Sequence, residues 1–147
     1  MKLLNAALRE ACATYLREAD GLRLRAYDIH YADPSKVDTD KLMKEQSAGI
    51  DRLALHQVDV ELLAPILMQP ANLLLRRFLR LRLAEEDDDR EEWEKAVDPT
   101  DTVLFEITKA MHKYVVENDF SGVDYTKLMP EIIPPVFTRN GSQQIES

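Results

Sequence analysis

Residues 73–101 read LLLRRFLRLRLAEEDDDREEWEKAVDPTD and contain one helical pattern, a break and the start of another helix. At 100° per residue the apolar side chains of the first part cover a wide arc, which predicts a helix packed on more than one side. Aspartate is a poor helix-interior residue, so we expect a break near residues 86–89 and a new helix to Val97. Asp88 followed by Glu91, and Asp89 followed by Glu92, each resemble the capped start of that helix.

The charge of the chain is concentrated in the same run. Residues 84–102 hold ten acids and two bases and net −8, whereas residues 1–83 net +2 and residues 103–147 net −2. Residues 73–83, immediately before, hold four arginines and no acid. A basic apolar segment therefore adjoins an acidic one, and surfaces polarised in this way commonly face other macromolecules.

Two sets of side chains in this run are candidates for binding a partner. The arginines beside leucines have the composition of a protein interface, but they could also pair with the acidic run or contact phosphate. The acidic run is either a solvated face or a partner surface, because it lacks the alternating spacing and the glycine of a calcium-binding loop. The candidate partner-binding residues are Arg76, Arg77, Arg80, Asp87, Asp88, Asp89, Glu91, Glu92 and Trp93.

Trp93 has two interpretations that the sequence leaves open. It is the only tryptophan of the chain and lies among glutamates. An aromatic side chain in an acidic helix suits docking onto a basic surface with an apolar centre. With Val97 one turn later, the indole could equally pack on the core of its own domain.

The composition predicts a mainly α fold. A chain of 147 residues with four glycines and seven prolines fits one domain and has too few turn residues for an all-β fold. We expect a compact bundle of five or six short helices in residues 1–127 and an extended tail in residues 128–147. Residues 22–31 alternate between apolar and polar, which fits either a small β element or a continued helix.

Glycine, proline and aspartate predict where the helices begin and end. The expected ends are Gly21, residues 47–49 and Pro99; a bend is expected at Pro65, and starts at Asp38 or Asp40, at Asp59, at Pro70 and at Thr100 or Asp101. The clearest apolar face, which we expect to be buried, consists of Leu104, Ile107, Met111 and Tyr114.

The tail combines helix-breaking and apolar residues. Its prolines are Pro130, Pro134 and Pro135, and its apolar anchors are Ile132, Ile133, Val136 and Phe137. Proline prevents a helix, yet four large apolar side chains are unusual in an idle linker. We therefore expect residues 128–137 to dock in extended form, on their own domain or on a neighbouring subunit.

No motif points to catalysis, a metal or a cofactor. Cys12 is the only cysteine, which excludes an intrachain disulfide and a cysteine-based zinc site within one chain. The three histidines are scattered, and the four glycines stand alone, so phosphate-binding and dinucleotide-binding motifs are absent. No apolar run approaches the ~18 residues of a membrane span, and Arg9 and Glu10 interrupt the start before it resembles a signal peptide, so we expect a cytoplasmic protein.

These patterns together predict a non-enzymatic accessory or regulatory protein that binds another protein, with a homo-oligomer also compatible. One alternative is a DNA mimic that inhibits a nucleic-acid-binding protein, because residues 85–94 hold eight carboxylates that could imitate a line of phosphates. Another is a small enzyme that uses carboxylates and a histidine. The net charge of −8 disfavours direct binding to nucleic acid.

Overall fold

A computed structural model describes residues 2–117 of the chain. Within that range the fold is mainly α, as predicted, and no strand is present. The elements in chain order are α1 (Lys2–His30), α2 (Thr39–Leu63), a short 3-10 turn (Pro65–Leu67), α3 (Met68–Glu86) and α4 (Arg90–Glu117).

The four helices run alternately up and down. Gln46 near the start of α2 donates a hydrogen bond to the carbonyl of Leu22, late in α1, at 2.7 Å. Arg82 near the end of α3 donates to the Ser47 hydroxyl, early in α2, at 2.9 Å. His30, the last residue of α1, contacts the first turn of α4. The end of α1, the start of α2, the end of α3 and the start of α4 therefore share one end of the bundle.

The core follows the helical period on each helix. On α1 the buried side chains are three or four residues apart; they are Leu8, Cys12, Tyr15, Ala19, Leu22 and Ala26. On α4 the predicted face is confirmed for Leu104, Ile107 and Met111, which are all buried. The side chain of Tyr114 lies outside the described ones.

The prediction of five or six short helices is wrong, because three expected ends lie inside longer helices. Gly21 lies within α1, which continues to His30, so residues 22–31 contain no β element. Residues 47–49 lie within α2, and Pro99 lies within α4. Asp59, an expected start, also lies within α2.

Gly49 is helical because two helices meet there. A Cβ atom at Gly49 would lie 2.8 Å from the Leu22 side chain and 2.6 Å from that of Arg25. The glycine therefore lets α1 and α2 approach closely. This packing offsets the cost of glycine in a helix, which is about 1 kcal/mol relative to alanine.

Other predicted boundaries are confirmed. The Asp38 carboxylate accepts the hydrogen bond of the Lys41 backbone N–H at 3.1 Å and caps α2. Pro65 begins the 3-10 turn that separates α2 from α3, and Pro70 lies in the first turn of α3. The break near residues 86–89 separates α3 from α4. The proposed boundary at residue 127 and the tail of residues 128–147 lie outside the described residues.

Candidate functional site

The candidate site is the end of the bundle where the acidic turn meets the end of α1. We call this region the acidic end and define it as Glu85–Glu94. Residues 86–94 hold seven acids and one base. The turn between α3 and α4 is three residues long, so these charges lie close together in space as well as in sequence.

Trp93 is the apolar side chain that lies beneath the acidic end. It is 2% exposed, so the indole packs on its own domain. This is the second of the two interpretations that the sequence leaves open. The His30 ring stacks on the Trp93 indole, and the Tyr27 ring meets it edge-on at 5.5 Å. This packing joins the end of α1 to the start of α4.

A second contact holds the same two helices together about two turns further along α4. The Asp101 carboxylate accepts hydrogen bonds from Arg23 at 3.0 Å and from the Tyr27 hydroxyl at 2.7 Å. Burial and the bond to Asp101 raise the pKa of Tyr27 to about 12. The Tyr27 hydroxyl therefore keeps its proton at neutral pH and donates it to the hydrogen bond. Asp101 thus serves to join α1 to α4.

Glu85 is a partly buried carboxyl beneath the acidic turn. One of its oxygens, Oε2, accepts a hydrogen bond from the Trp93 indole N–H at 3.2 Å. The other, Oε1, is buried without a hydrogen-bond partner. Burial raises the pKa of Glu85 to about 7, and the Trp93 bond and the charge of Arg82 act in the opposite direction. Glu85 can therefore take up and release a proton near neutral pH.

His30 and Arg90 close the side of the same region. The His30 side chain is 3% exposed, and its Nε2 lies 3.3 Å from a carboxylate oxygen of Glu94. Arg90 donates a hydrogen bond to the His30 backbone carbonyl at 3.0 Å. Arg90 is thus anchored to the end of α1, where its charge is also favourable for the helix dipole.

A small cleft opens between these groups. It encloses about 280 Å³ counted out to its mouth, and its walls include Glu85, His30, Trp93, Asp88 and Arg90. The cleft thus brings a histidine and a carboxyl with a shifted pKa together. Its cavity volume of about 50 Å³ is well below the roughly 300–1,000 Å³ of typical small-molecule pockets.

The aspartates of the turn are exposed and held by the backbone. Asp88 has a φ of 54°, in the left-handed region that aspartate tolerates better than most residues. The Asp89 carboxylate accepts the hydrogen bond of the Glu92 backbone N–H at 3.1 Å, so of the two expected caps, Asp88 and Asp89, the structure has Asp89. The turn therefore presents its carboxylates from a fixed backbone.

Most of the acidic charge at this end is not neutralised within the described residues. Glu91 lies 4.0 Å from Lys95, and Glu86 lies 3.8 Å from Arg82. Within residues 2–117 no ion pair involves the other four acids of the turn and the first helical turn, which are Asp87, Asp88, Asp89 and Glu92. All four are exposed.

The arginines of α3 are separate from the acidic end. Arg76 and Arg80 are exposed, whereas Arg77 is 7% exposed and burial lowers its pKa, with Arg80 and Arg76 adding to the effect. Arg80 and Asp87 are seven residues apart, ~10 Å along a helix. Of the predicted site residues, the structure thus groups the acids with Trp93, and it places the arginines apart from them.

The sequence places Glu85 and Arg90 in the acidic run but does not single them out as site residues, and it gives no sign that His30 belongs to this region. His30 continues the spacing of Leu22 and Ala26 by fours, and that spacing could have placed it on the buried face of α1. The contact between Glu85 and Trp93 spans a turn, so neither helical nor strand periodicity points to it.

Among residues 2–117, no three histidine, cysteine, aspartate or glutamate side chains converge to hold a metal ion. None of the helices in the same range has the length and apolar character needed to cross a membrane. No protein-family model, curated protein or solved structure matches the chain. The function is therefore argued from the geometry of the acidic end.

Proposed function

We propose that this chain is a non-enzymatic accessory or regulatory protein that binds a basic surface of another protein through its acidic end. The observation that carries the proposal is the exposure of Asp87, Asp88 and Asp89 on the turn and of Glu92 in the first turn of α4, with no ion pair to them from residues 2–117. Unpaired like charges at close range repel one another, and a basic partner relieves that repulsion.

The packing beneath the acidic end supports the same proposal. Trp93 is buried, Asp89 caps α4, and Arg90 is bonded to the end of α1. A surface whose backbone is already fixed loses little conformational entropy when a partner binds. The acidic end therefore has the rigidity expected of a preformed binding surface.

The exposed arginines of α3 form a second candidate surface in this proposal. Arg76 and Arg80 lie near Leu79 and Leu83, which are 43% and 60% exposed. Arginine beside exposed leucine is typical of interface hot spots, so this face suits an acidic region of the same partner or of another copy of the chain. Arg77 is buried and supports the helix from within.

The decisive experiment neutralises the acidic end and measures partner capture. The variant carries Asp87→Asn, Asp88→Asn, Asp89→Asn, Glu91→Gln and Glu92→Gln. The matched control neutralises five exposed acids elsewhere, with Asp20→Asn, Asp28→Asn, Glu45→Gln, Asp51→Asn and Asp59→Asn. Both should keep the circular dichroism of the parent, because all ten side chains are exposed.

Capture of proteins from a cell extract, quantified by mass spectrometry, should fall in the variant and persist in the control. High salt should reproduce the loss, because exposed charges are screened beyond about 8–10 Å at moderate ionic strength. Equal capture by the variant and by the control at every ionic strength would refute the proposal.

The DNA-mimic alternative is tested in the same experiment. If the partner is a nucleic-acid-binding protein whose groove the acids occupy, duplex DNA should compete with the chain for that partner. Partners that remain bound in excess DNA favour the general protein-binding function instead.

The enzyme alternative has one observation in its favour, the cleft that contains His30 and Glu85. A group with a pKa near 7 suits proton transfer at neutral pH. The enzyme alternative is tested by adding small molecules from a library to the protein in solution and following Trp93 fluorescence. Trp93 lines the cleft and is the only tryptophan, so its signal reports on ligands bound there. Specific ligands of the cleft would favour the enzyme.

A further inference from the structure

An apolar groove lies between α1 and α4, at the end of the bundle opposite the acidic end. It encloses about 660 Å³ counted out to its mouth. Its walls are Cys12, Ala13 and Leu16 from α1 and Met111, Val115 and Val116 from α4, and Arg9, Thr108 and His112 also line it.

The groove has apolar side chains that the described residues leave open to water. Val116 is 65% exposed and Val115 is half-buried, although both lie beside the buried Met111. Contiguous exposed apolar surface of this kind usually marks a place where another segment binds.

The chain itself continues from this groove. The last described residue, Glu117, directly follows Val116, and thirty residues come after it. The fifteen residues from Glu117 to Ile132 span up to ~50 Å when extended. The groove follows α4 from Thr108 to Val116, only ~12 Å of helix, so the chain is long enough to return along it.

The sequence after α4 also complements the groove in chemistry. Ile132, Ile133, Val136 and Phe137 are apolar, and the acids Asp119, Asp124 and Glu131 precede them. The rim of the groove carries Arg9 and His112, and Lys109 and Lys113 lie beside His112 in an adjoining depression. Apolar anchors behind acidic residues therefore match an apolar groove with a basic rim.

We propose that residues 132–137 of the same chain bind in the groove between α1 and α4, where they cover Val115 and Val116 and close the groove above Cys12. Pro134 and Pro135 keep this segment from forming a helix and favour an extended backbone, which fits a groove between two helices. The inference is independent of the acidic end, because the two sites lie at opposite ends of the bundle.

Cys12 supplies the experiment, because it is the only cysteine and lines the groove. Burial raises its pKa to about 11, so its thiol is a slow nucleophile at neutral pH. The rate of its alkylation by iodoacetamide, measured by mass spectrometry, is compared between the full chain and the double variant Val136→Asp with Phe137→Asp. The variant should react faster, because Cys12 is a buried side chain that lines the groove and the reagent reaches it through the space that the bound segment closes.

The matched control is Ile145→Asp, which lies beyond the proposed segment and should leave the rate unchanged. Truncation after Thr126 should reproduce the faster reaction, whereas truncation after Asn140 should not. Equal rates in the full chain and in the double variant would overturn the proposal. A rate that depends on protein concentration, with a dimer in light scattering, would assign the groove to a second copy and also overturn it.

Disulfide trapping tests the contact directly. Ile133→Cys, Val136→Cys and Phe137→Cys each give a chain with two cysteines, and Ser142→Cys is the control. Oxidation with diamide should form an intrachain disulfide with Cys12 in at least one of the three, since a disulfide requires Cα atoms about 4.4–6.8 Å apart. An intrachain disulfide in the control alone would contradict the proposal.

Discussion

The imidazole ring of His30 lies flat on the indole of Trp93, with the ring centroids 3.7 Å apart and an angle of 5° between the planes. The two residues are 63 positions apart in the sequence. Offset and stacked aromatic pairs add about 0.5–1.5 kcal/mol beyond the area that they bury. The stack therefore fixes the end of α1 against the start of α4 and supports the acidic turn from below.

Replacement of Trp93 tests this supporting role. Trp93→Ala should lower the free energy of unfolding by about 3–5 kcal/mol, because a fully buried aromatic side chain leaves a large cavity. Urea unfolding followed by far-ultraviolet circular dichroism measures the loss without relying on tryptophan fluorescence. Tyr31→Ala is the control, since Tyr31 is 68% exposed and should cost far less. Equal losses would mean that Trp93 is not part of the core.

Two large apolar residues of α4 that are two positions apart differ in burial, so they test whether the apolar face belongs to the core. Ile107 is 1% exposed and Phe105 is 61% exposed. Ile107→Ala should reduce the free energy of unfolding by about 2–5 kcal/mol, whereas Phe105→Ala should change it by about 0.5 kcal/mol or less. Thermal and urea unfolding of both variants measure the difference. A loss below about 0.5 kcal/mol for Ile107→Ala would show that this face is exposed.

Glu85 should make stability depend on pH. Burial raises the pKa of Glu85 from 4.5 to about 7, so the folded state holds this proton more tightly than the unfolded state. The stabilisation is complete below the unfolded pKa and is lost as the pH rises through the folded pKa.

Glu85→Gln stays neutral and should lack this component. Relative to the parent, the variant should gain on the order of 2 kcal/mol between about pH 5 and 8. Urea unfolding of both chains at several pH values across this range measures the gain. A constant difference would mean that Glu85 is solvated in the folded state.

Two substitutions of Asp89 separate its charge from its cap. Asp89→Ala removes the acceptor for the Glu92 backbone N–H and should lower the free energy of unfolding by about 1 kcal/mol. Asp89→Asn keeps an acceptor at the same position and should cost much less. Thermal unfolding compares the two; if they are equally destabilising, the hydrogen bond does not stabilise α4.

The sequence alone predicts the fold class and those boundaries that have a side-chain cause. Asp38 and Asp89 cap helices, and Pro70 lies in a first turn, because a short polar side chain or a proline suits these positions in any context. The helix ends predicted at Gly21 and Pro99 are wrong because local propensity competes there with tertiary packing.

Pro99 shows this competition most clearly. Its neighbours Val97 and Thr100 are buried, and Asp101 is bonded to Arg23 and Tyr27 of α1. These contacts hold the backbone helical on both sides of the proline, so the loss of one backbone hydrogen bond does not end the helix. Such contacts come from a distant part of the chain, and a local pattern cannot reveal them.

The candidate site was predictable in its charge and not in its architecture. Ten acids in residues 84–102 are visible in the sequence, as is the break in their midst. The burial of Trp93 and the involvement of Glu85 and His30 depend on how the bundle closes. The separation of Arg80 from Asp87 depends on α3 continuing as a helix from Arg80 to Glu86, directly before the turn.

The up-and-down order of the helices has a consequence for how fast the chain folds. Successive helices pack against each other, and the turn between α3 and α4 is only three residues long. A fold built from such local pairs has a low contact order, and comparable helical bundles fold in about microseconds to milliseconds. The contacts between the first helix and the last, among them His30 with Trp93 and Arg23 with Asp101, close long loops at a large cost in chain entropy, so they should form late. Trp93 fluorescence in a stopped-flow or temperature-jump experiment would then report the final closure of the bundle rather than its first collapse.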